Sequence, residues 1–325
     1  MKRVLVTGAN GFVGRTVCAL LAQRGVAHTA ALRARPGPGQ IAVGAIDGAT
    51  SWAAALAGCD TVIHLAARVH VMDDASADPL AAYRAVNVDG SLNLARQAFD
   101  AGVRRFVYVS SVKVNGELSG DTPFAATDVP RPSDPYGQSK LEAEQGLQAL
   151  AERRGGELAI VRPPLVYGPG VGANFRSLMA LVARGVPLPF ASATARRSLV
   201  AVDNLADLLL RCASHPNAGG GTFMVSDGND LTIGQLCRAL GAAMDQPARL
   251  LPVPPVLLRA LARVCGRQAV ADRLLGALQV EIGPTCARLD WQPPVPAALA
   301  LAACAQHYLN TAAAAARIAD PKETA

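Results

Sequence analysis

A tyrosine and a lysine four residues apart are the side chains best suited to chemistry in this sequence. Tyr136 and Lys140 lie in the stretch PSDPYGQSKLEAEQ, and residues i and i+4 of a helix share one face. A phenol with its ordinary pKa of about 10 exchanges protons poorly at neutral pH, and a neighbouring ammonium group lowers that pKa. The pair therefore predicts an acid–base device, although an ordinary tyrosine at a helix start would show the same spacing.

A glycine-rich turn near the start of the chain predicts a dinucleotide site. The apolar run RVLVT (3–7) leads into GANGFVG and then into the helical run RTVCALLAQR. Glycines after such a strand permit a tight turn, close approach of a diphosphate and close helix–strand packing, and the helix N-terminus attracts anions. The residues expected to contact the cofactor here are Gly8, Gly11, Phe12, Val13 and Gly14.

The residue after the second strand bears on the choice between NADP(H) and NAD(H). The predicted strand AHTAAL (27–32) is followed by Arg33, which lies 33 − 14 = 19 residues after Gly14. An acidic residue at this position typically binds the ribose hydroxyls of NAD, whereas a guanidinium group suits a 2′-phosphate. We therefore expect NADP(H) to be favoured, with NAD(H) as the other possible cofactor. The alternative for Arg33 is a solvated arginine on a loop without a role in binding.

Hydroxyl side chains end another buried run, RRFVYVSS (104–111). The carboxyl end of a parallel strand faces the ligand crevice in open α/β sheets. Ser111 or its neighbour Ser110 is therefore placed to meet a ligand. His64, inside the apolar run TVIHLAA (61–67), is expected to be packed rather than catalytic.

Several motifs together resemble the extended short-chain dehydrogenase/reductases, in the NAD-dependent epimerase/dehydratase family. They are the G-x-x-G-x-x-G spacing, SSVKVNG, the Tyr136–Lys140 pair and RPPLVYGPG, and the resemblance covers residues 1 to about 295. It implies an α/β fold: a doubly wound parallel Rossmann sheet with a smaller C-terminal substrate-binding domain. The implied division is residues 1–170 for the NAD(P)-binding domain, with a strand near 198–202 returning to it, 171–316 mainly for the substrate domain, and 317–325 for a flexible tail.

The resemblance also implies roles for individual residues. Ser111 would hold the substrate oxygen beside Tyr136, while Lys140 would hold the nicotinamide ribose and lower the pKa of Tyr136; Asn87 would order backbone and water nearby. Further cofactor contacts are implied for Asp47, Leu65, Ala66, Ala67, Pro163 and Val166. Substrate contacts are implied for Lys113, Asn174, Arg197 and Arg273, of which the two arginines would meet phosphate.

The two residues after Ser111 argue against one branch of this family, the nucleotide-sugar dehydratases. Those enzymes carry an Asp-Glu pair at these positions, whereas this chain has Val112 and Lys113. Because Arg33 favours NADPH and a reductase uses free reduced cofactor, the first hypothesis is an NADPH-dependent reductase of a UDP-4-keto-6-deoxy-N-acetylhexosamine in polysaccharide biosynthesis. The alternative is a UDP-glucose or UDP-N-acetylglucosamine 4-epimerase with tightly bound NAD. A non-catalytic NADP(H)-binding protein is a more distant alternative.

Composition sets limits on other functions. The charge of +6 over 325 residues comes from dispersed basic side chains, which suits anionic small molecules such as a UDP-sugar rather than nucleic acid. Seven scattered cysteines without a C-x-x-C pair predict buried reduced thiols, a cytoplasmic protein and no metal site.

Two further expectations concern membranes and assembly. The uncharged stretch 291–316 contains three prolines and too short an apolar run, AALALAACA, to predict a membrane span. The resemblance implies a homodimer formed through the predicted helices near 79–101 and 134–154.

Overall fold

The computed structural model describes residues 1–69 and 78–319. The strands are β1 (Arg3–Thr7), β2 (Ala27–Leu32), β3 (Gln40–Ala42), β4 (Thr61–His64), β5 (Arg105–Val109), β6 (Glu157–Arg162), β7 (Leu165–Tyr167), β8 (Arg196–Arg197), β9 (Leu199–Ala201), β10 (Gly221–Met224) and β11 (Leu231–Thr232). The helices are α1 (Phe12–Gln23), α2 (Ala53–Leu56), α3 (Pro79–Arg84), α4 (Ser91–Asp100), α5 (Pro135–Arg154), α6 (Ala173–Ala183), α7 (Val202–Ser214), α8 (Ile233–Ala243), α9 (Pro255–Val264), α10 (Gln268–Leu275), α11 (Gly283–Leu289) and α12 (Ala297–Ala319). A π-helical segment, Ala85–Gly90, joins α3 to α4, and short 3₁₀ turns cover Val112–Val114 and Pro216–Ala218.

Seven parallel strands form the main sheet, in the order β10-β6-β5-β4-β1-β2-β3. Apolar runs in the sequence predict buried strands, and Val4, Leu5 and Val6 of β1 are indeed buried. The strand order reverses between β1 and β4, so the carboxyl ends of these two strands flank a crevice of the kind that binds ligands in open α/β sheets.

Helices cover both faces of this sheet. On one face, α1 and α7 bury Val17, Leu21 and Leu205 against the strands. On the other face, α4 and α5 bury Leu94 and Leu147. The prediction of a doubly wound α/β sheet is confirmed.

A separate core lies in the second half of the chain. Side chains of α6, α8 and α12, including Phe175, Leu240 and Leu301, pack together with Tyr167. Helices α9 and α10 flank this core through half-buried side chains such as Leu258 and Leu274.

The strand predicted near 198–202 is β9, which was expected to return to the first domain. It pairs with β7 in a two-stranded sheet of its own, and its Val200 packs in the core of the main sheet. Strand β10 occupies the free edge of β6, and its Phe223 packs into the core that α7 also fills. Residues after β9 do return to the first domain, through α7.

The structure also bears on the expected C-terminal tail, the cysteines, the membrane and the metal site. Helix α12 runs to Ala319, so the first three residues of the expected flexible tail are helical, and residues 320–325 lie outside the described part. Cys265 is exposed, contrary to the expectation that every thiol is buried. Within residues 1–69 and 78–319, no helix is long and apolar enough to cross a bilayer, and no three His, Cys, Asp or Glu side chains form a metal-binding group.

Candidate active site

Helix α5 presents Tyr136 and Lys140 in its first turns. Asp134 caps the helix by accepting a hydrogen bond from the Gly137 N–H at 2.6 Å, and Pro135 occupies the first helical position. Both features favour a helix start at this point because they satisfy or remove free N–H groups. The N-cap therefore fixes the first turn of α5, which carries the phenol.

Lys140 is buried beneath the crevice. Its Nζ donates to the Val109 carbonyl oxygen at 3.0 Å and lies 4.7 Å from the centre of the Tyr108 ring. Burial lowers the pKa of the ammonium group to about 7, and the Glu144 carboxylate opposes this change. The lysine is thus held at the carboxyl end of β5 and changes charge near neutral pH.

The pKa of Tyr136 moves opposite to the sequence-based expectation. Burial, together with the Asp134 carboxylate, raises it to about 12, although a hydrogen bond with Ser111 lowers it. Lys140 was expected to lower this pKa. It does not, because its Nζ lies 6.0 Å from the centre of the phenol ring and is itself buried against the Val109 carbonyl.

Ser111 is the hydroxyl residue that meets Tyr136. It follows β5 and begins a 3₁₀ turn, with its Oγ accepting the Lys113 N–H at 3.2 Å. Its hydrogen bond with the phenol favours Ser111 over Ser110, whose side chain is 3% exposed and has no hydrogen-bond partner among the described residues. Ser111, Tyr136 and Lys140 therefore form one group.

Asn87 connects helix α5 to the loop after β4. It is fully buried in the π-helical segment, and its amide donates to the Ser139 Oγ at 3.0 Å and to the Arg68 carbonyl at 3.1 Å. Its Oδ1 accepts the Arg68 N–H at 2.8 Å, and Ser139 in turn donates to the Tyr136 carbonyl at 2.8 Å. π-helical segments often mark functional sites, and this one fixes the backbone of Tyr136.

His64 lies inside the sheet, as the apolar run predicts. Its Nδ1 is 2.6 Å from the Thr7 Oγ1, and its Nε2 is 2.9 Å from the Ser91 Oγ. Thr7 accepts the N–H groups of Leu65 and Ala66, so its hydroxyl donates to Nδ1. Ser91 donates to the Asn87 carbonyl, so the proton of the imidazole lies on Nε2. Burial lowers the pKa of His64 to about 3, and the ring is neutral.

The glycine turn fits a dinucleotide diphosphate. Gly8 has a φ of +63°, and a Cβ there would lie 3.0 Å from the Ala66 backbone nitrogen. A Cβ on Gly14 would overlap the Gly8 carbonyl oxygen, so the helix packs closely against the strand exit. Helix α1 starts at Phe12 with Gly11 as its N-cap, and no described side chain caps it. The amides of its first turn, at Phe12 and Val13, are thus available to an anion.

Other predicted cofactor residues surround the same crevice. Arg33 is exposed directly after β2, where the 2′-position of a bound ribose is expected. Asp47 lies in a turn held by Asn93, which donates to the Asp47 carbonyl at 3.2 Å. Pro163 accepts the Val112 N–H at 3.0 Å, and Val166 is half-buried in β7. Ala67, like Leu65 and Ala66, is half-buried after β4.

A chain of charges joins two predicted substrate residues to the tyrosine. Lys113 forms ion pairs with Asp134 and with Glu117, the latter at 2.7 Å. The half-buried Arg197 donates to the Gly276 carbonyl at 2.9 Å. Burial lowers the pKa of Arg197, and the nearby Glu117 carboxylate opposes this.

The two remaining predicted substrate residues stand apart from this chain of charges. Asn174 is exposed at the start of α6, and Arg273 is half-buried in α10. No described contact joins either residue to Tyr136.

Three residues of the site were not predicted as such. Asp134 raises the pKa of Tyr136 and pairs with Lys113, and Tyr83 packs edge-on against Tyr136 with ring centres 5.9 Å apart. Glu144 is buried and pairs with Arg162 at 2.5 Å. Spacing could have found two of them, since Glu144 lies four residues after Lys140 and Tyr83 four before Asn87.

Comparison with known proteins agrees with this geometry. The model of the NAD dependent epimerase/dehydratase family matches residues 4–226. A UDP-glucose 4-epimerase of Vibrio cholerae is 45% identical over 300 residues, covering 90% of this chain and 91% of that protein.

Two solved structures share the fold. The UDP-N-acetylglucosamine 4-epimerase of Bacillus cereus has a TM-score of 0.78 at 18% identity, covering 96% of this chain and 100% of that one. A UDP-glucose 4-epimerase of Thermotoga maritima, solved with UDP-glucose, has a TM-score of 0.75 at 21% identity, covering 95% and 99%. Together with the glycine turn and the Ser111–Tyr136–Lys140 group, the family match shows that the chain belongs to the NAD dependent epimerase/dehydratase family of enzymes.

Proposed function

We propose that this protein is a UDP-hexose 4-epimerase that works with bound NAD. The observation that carries the proposal is the 45% identity to the V. cholerae UDP-glucose 4-epimerase along nine-tenths of both chains. It favours the epimerase over the 4-keto reductase that the sequence alone placed first.

The active-site residues support chemistry at a secondary alcohol. A bound nicotinamide would supply a hydride acceptor at carbon 4 and return the hydride to the other face. Tyr136 would take the proton of the carbon 4 oxygen as the phenolate and return it as the phenol, and Ser111 would hold that oxygen beside the ring. Lys140 contributes a positive charge at the cofactor side of the phenol when protonated. Such acid–base assistance accounts for about 10²- to 10⁴-fold in rate.

The surroundings of Ser111 disfavour elimination of water. Dehydration at carbons 5 and 6 requires a group that removes a proton and one that donates it. Val112 is buried and apolar, and the Lys113 ammonium is held by Asp134 and Glu117. Neither side chain supplies the carboxyl pair.

The substrate diphosphate is proposed to lie on the second domain. Arg197 is half-buried with its Nη1 turned to the Gly276 carbonyl, and Arg273 lies three residues before Gly276 in sequence. A guanidinium group in this position suits a diphosphate. We include Asn174 and Lys113 as further contacts, which direct binding measurements on single variants would test.

One observation keeps a reductase as the second candidate. Arg33 is exposed after β2, and no acidic residue occurs between it and Asp47. NADP(H) preference would suit an enzyme that consumes reduced cofactor, reducing a UDP-4-keto sugar. Arg33→Asp should then shift binding from NADPH towards NADH, whereas tighter binding of NADH by the unchanged protein would remove this candidate.

Assembly and location complete the proposal. We propose a cytoplasmic homodimer in which α4 and α5 of each copy pack together. A Cβ on Gly146 would lie 2.8 Å from Leu92, so α4 and α5 already pack closely within one copy and form a joint surface. Sedimentation of the purified protein tests the dimer.

The function is tested by incubating the purified protein with UDP-glucose and no added nucleotide cofactor. The proposal predicts a second UDP-hexose that approaches an equilibrium mixture. Stoichiometric oxidation of NADPH by a UDP-4-keto sugar, without epimer formation, would establish the reductase instead.

A further inference from the structure

Helix α9 turns an apolar face to the outside of the protein. Successive residues of a helix are about 100° apart, so Val256, Leu257, Ala260, Leu261 and Val264 share one side of α9. Val256 is 72% exposed, Leu257 59%, Leu261 62% and Val264 86%. The opposite side carries the half-buried Leu258 and Ala262, which pack on the second core. Scattered exposed apolar residues are ordinary, but a continuous face of them marks an interaction surface.

The cavity behind this face is also apolar. It measures about 260 Å³ and lies between α9 and α10, where Phe190, Leu258 and Leu274 are among its lining residues. The surface and the cavity together suit an occupant with hydrocarbon character.

Basic residues predominate in the segment that carries this face. Residues 246–271 contain four arginines, Arg249, Arg259, Arg263 and Arg267, and no acidic residue. Arg259 contacts Asp272 at 3.9 Å, and Arg263 contacts Gln268 at 3.4 Å. All four arginines are exposed. On the helix, Arg259 and Arg263 lie along one edge of the apolar face, and basic residues beside an apolar face are typical of helices that lie in the headgroup layer of anionic membranes.

A second copy of the chain fits this surface less well. A symmetric contact through α9 would bring the arginines of two copies towards each other, and like charges repel. A helix of 10 residues is about 15 Å long, and its outer side offers less than the roughly 800 Å² per partner of a stable interface. Anionic headgroups would instead neutralise these cations.

We propose that the α9 face docks this protein peripherally on an anionic lipid bilayer. Val256, Leu257, Leu261 and Val264 enter the boundary between headgroups and acyl chains, while Arg263 and Arg267 contact lipid phosphates. The proposal does not depend on which sugar the active site accepts.

Sedimentation with vesicles tests the docking. The full chain is mixed with vesicles of phosphatidylglycerol and phosphatidylcholine, or of phosphatidylcholine alone. We expect it to sediment with the anionic vesicles and to be released by high salt. Leu257→Glu with Leu261→Glu should lower the partition coefficient at least tenfold. Leu299→Glu, which changes a leucine 64% exposed on α12, should leave it unchanged.

A charge variant keeps the test decisive if the leucine variant folds poorly. Arg263→Glu with Arg267→Glu should weaken binding about fivefold for each lost cation, and Arg238→Glu on α8 serves as its control. Thermal unfolding and activity without vesicles should match the unchanged protein for every variant used. Absence of vesicle binding, equal binding to both vesicle types, or equal binding by the variants would overturn the proposal. A change of oligomeric state in the leucine variant would show a protein interface instead.

Discussion

His64 and Thr7 are joined by a 2.6 Å hydrogen bond in the centre of the main sheet. The bond links β4 to β1, the strands on either side of the crevice. Through Thr7 it reaches the loop of Leu65 and Ala66, and through Ser91 it reaches Asn87. One buried imidazole thus ties the cofactor loop to the segment that supports Tyr136.

His64 should make the protein sensitive to acid. Its pKa is lowered from 6.5 to about 3 in the folded chain, so below pH 6.5 the unfolded chain binds a proton that the folded chain does not. Stability is therefore lost as the pH falls from 6.5 towards 3, by up to about 1.4 kcal/mol per pH unit. Denaturant unfolding should show this slope reduced in His64→Gln. His307→Gln, at an exposed position, should retain it; an unchanged slope in His64→Gln would contradict the assignment.

Asp134→Asn should lower the pKa of Tyr136. The change removes a negative charge that raises this pKa, while an asparagine still caps α5. The pH dependence of kcat/KM should move to lower pH in the limb that reports the phenol. Asp128→Asn, an exposed carboxylate that accepts the Ala125 N–H, is the control. A limb that stays in place or moves to higher pH would remove Asp134 from this role.

Glu144→Gln should destabilise the protein by about 3–5 kcal/mol, because it leaves the Arg162 guanidinium buried without its carboxylate. The side chains of Glu144 and Arg162 are 2% and 6% exposed. Glu142→Gln, two residues away on α5, weakens a more exposed pair with Arg84, whose side chains are 49% (Arg84) and 22% (Glu142) exposed, and should change stability less. Equal free energies of unfolding for the two variants would show that the buried pair has no special importance.

Gly14→Ala should prevent cofactor binding. The new methyl group would overlap the Gly8 carbonyl oxygen and lie 2.8 Å from the Ala9 Cα, so the glycine turn would have to move. The nucleotide content of the purified protein and its melting temperature should both fall. Gly283→Ala adds a methyl group in open space and should resemble the unchanged protein. Normal nucleotide content in Gly14→Ala would refute the predicted role of this turn.

Local motifs, and the family resemblance that they carry, were sufficient to predict the fold and to name residues that lie together at the candidate site. Residues 3–7, the glycine turn and the spacing of Tyr136 and Lys140 depend on neighbours in the chain, and such short-range rules hold in the structure. The edge strand β10 was not predicted from the sequence. It pairs with β6, which lies far from it along the chain, and its Phe223 packs in the core that α7 also fills; no local pattern reports such contacts.

Electrostatic effects at the site were harder to predict than its members. The sequence shows that Lys140 lies one helical turn from Tyr136. It does not show how deeply either side chain is buried. Burial raises the pKa of Tyr136 and lowers that of Lys140. Asp134 raises the pKa of Tyr136 because the N-cap position holds its carboxylate near the phenol, and only the folded chain defines that position.

The fate of the hydrogen on carbon 4 tests the central claim most directly. Purified protein is given UDP-glucose carrying deuterium at carbon 4, without added nucleotide, and the products are examined by NMR and mass spectrometry. An epimerase returns the same hydrogen, so deuterium should remain on carbon 4 of the new epimer. Tyr136→Phe should slow its formation by about 10²-fold or more and still bind NAD. Absence of any epimer, together with consumption of NADPH by a 4-keto sugar, would contradict the account.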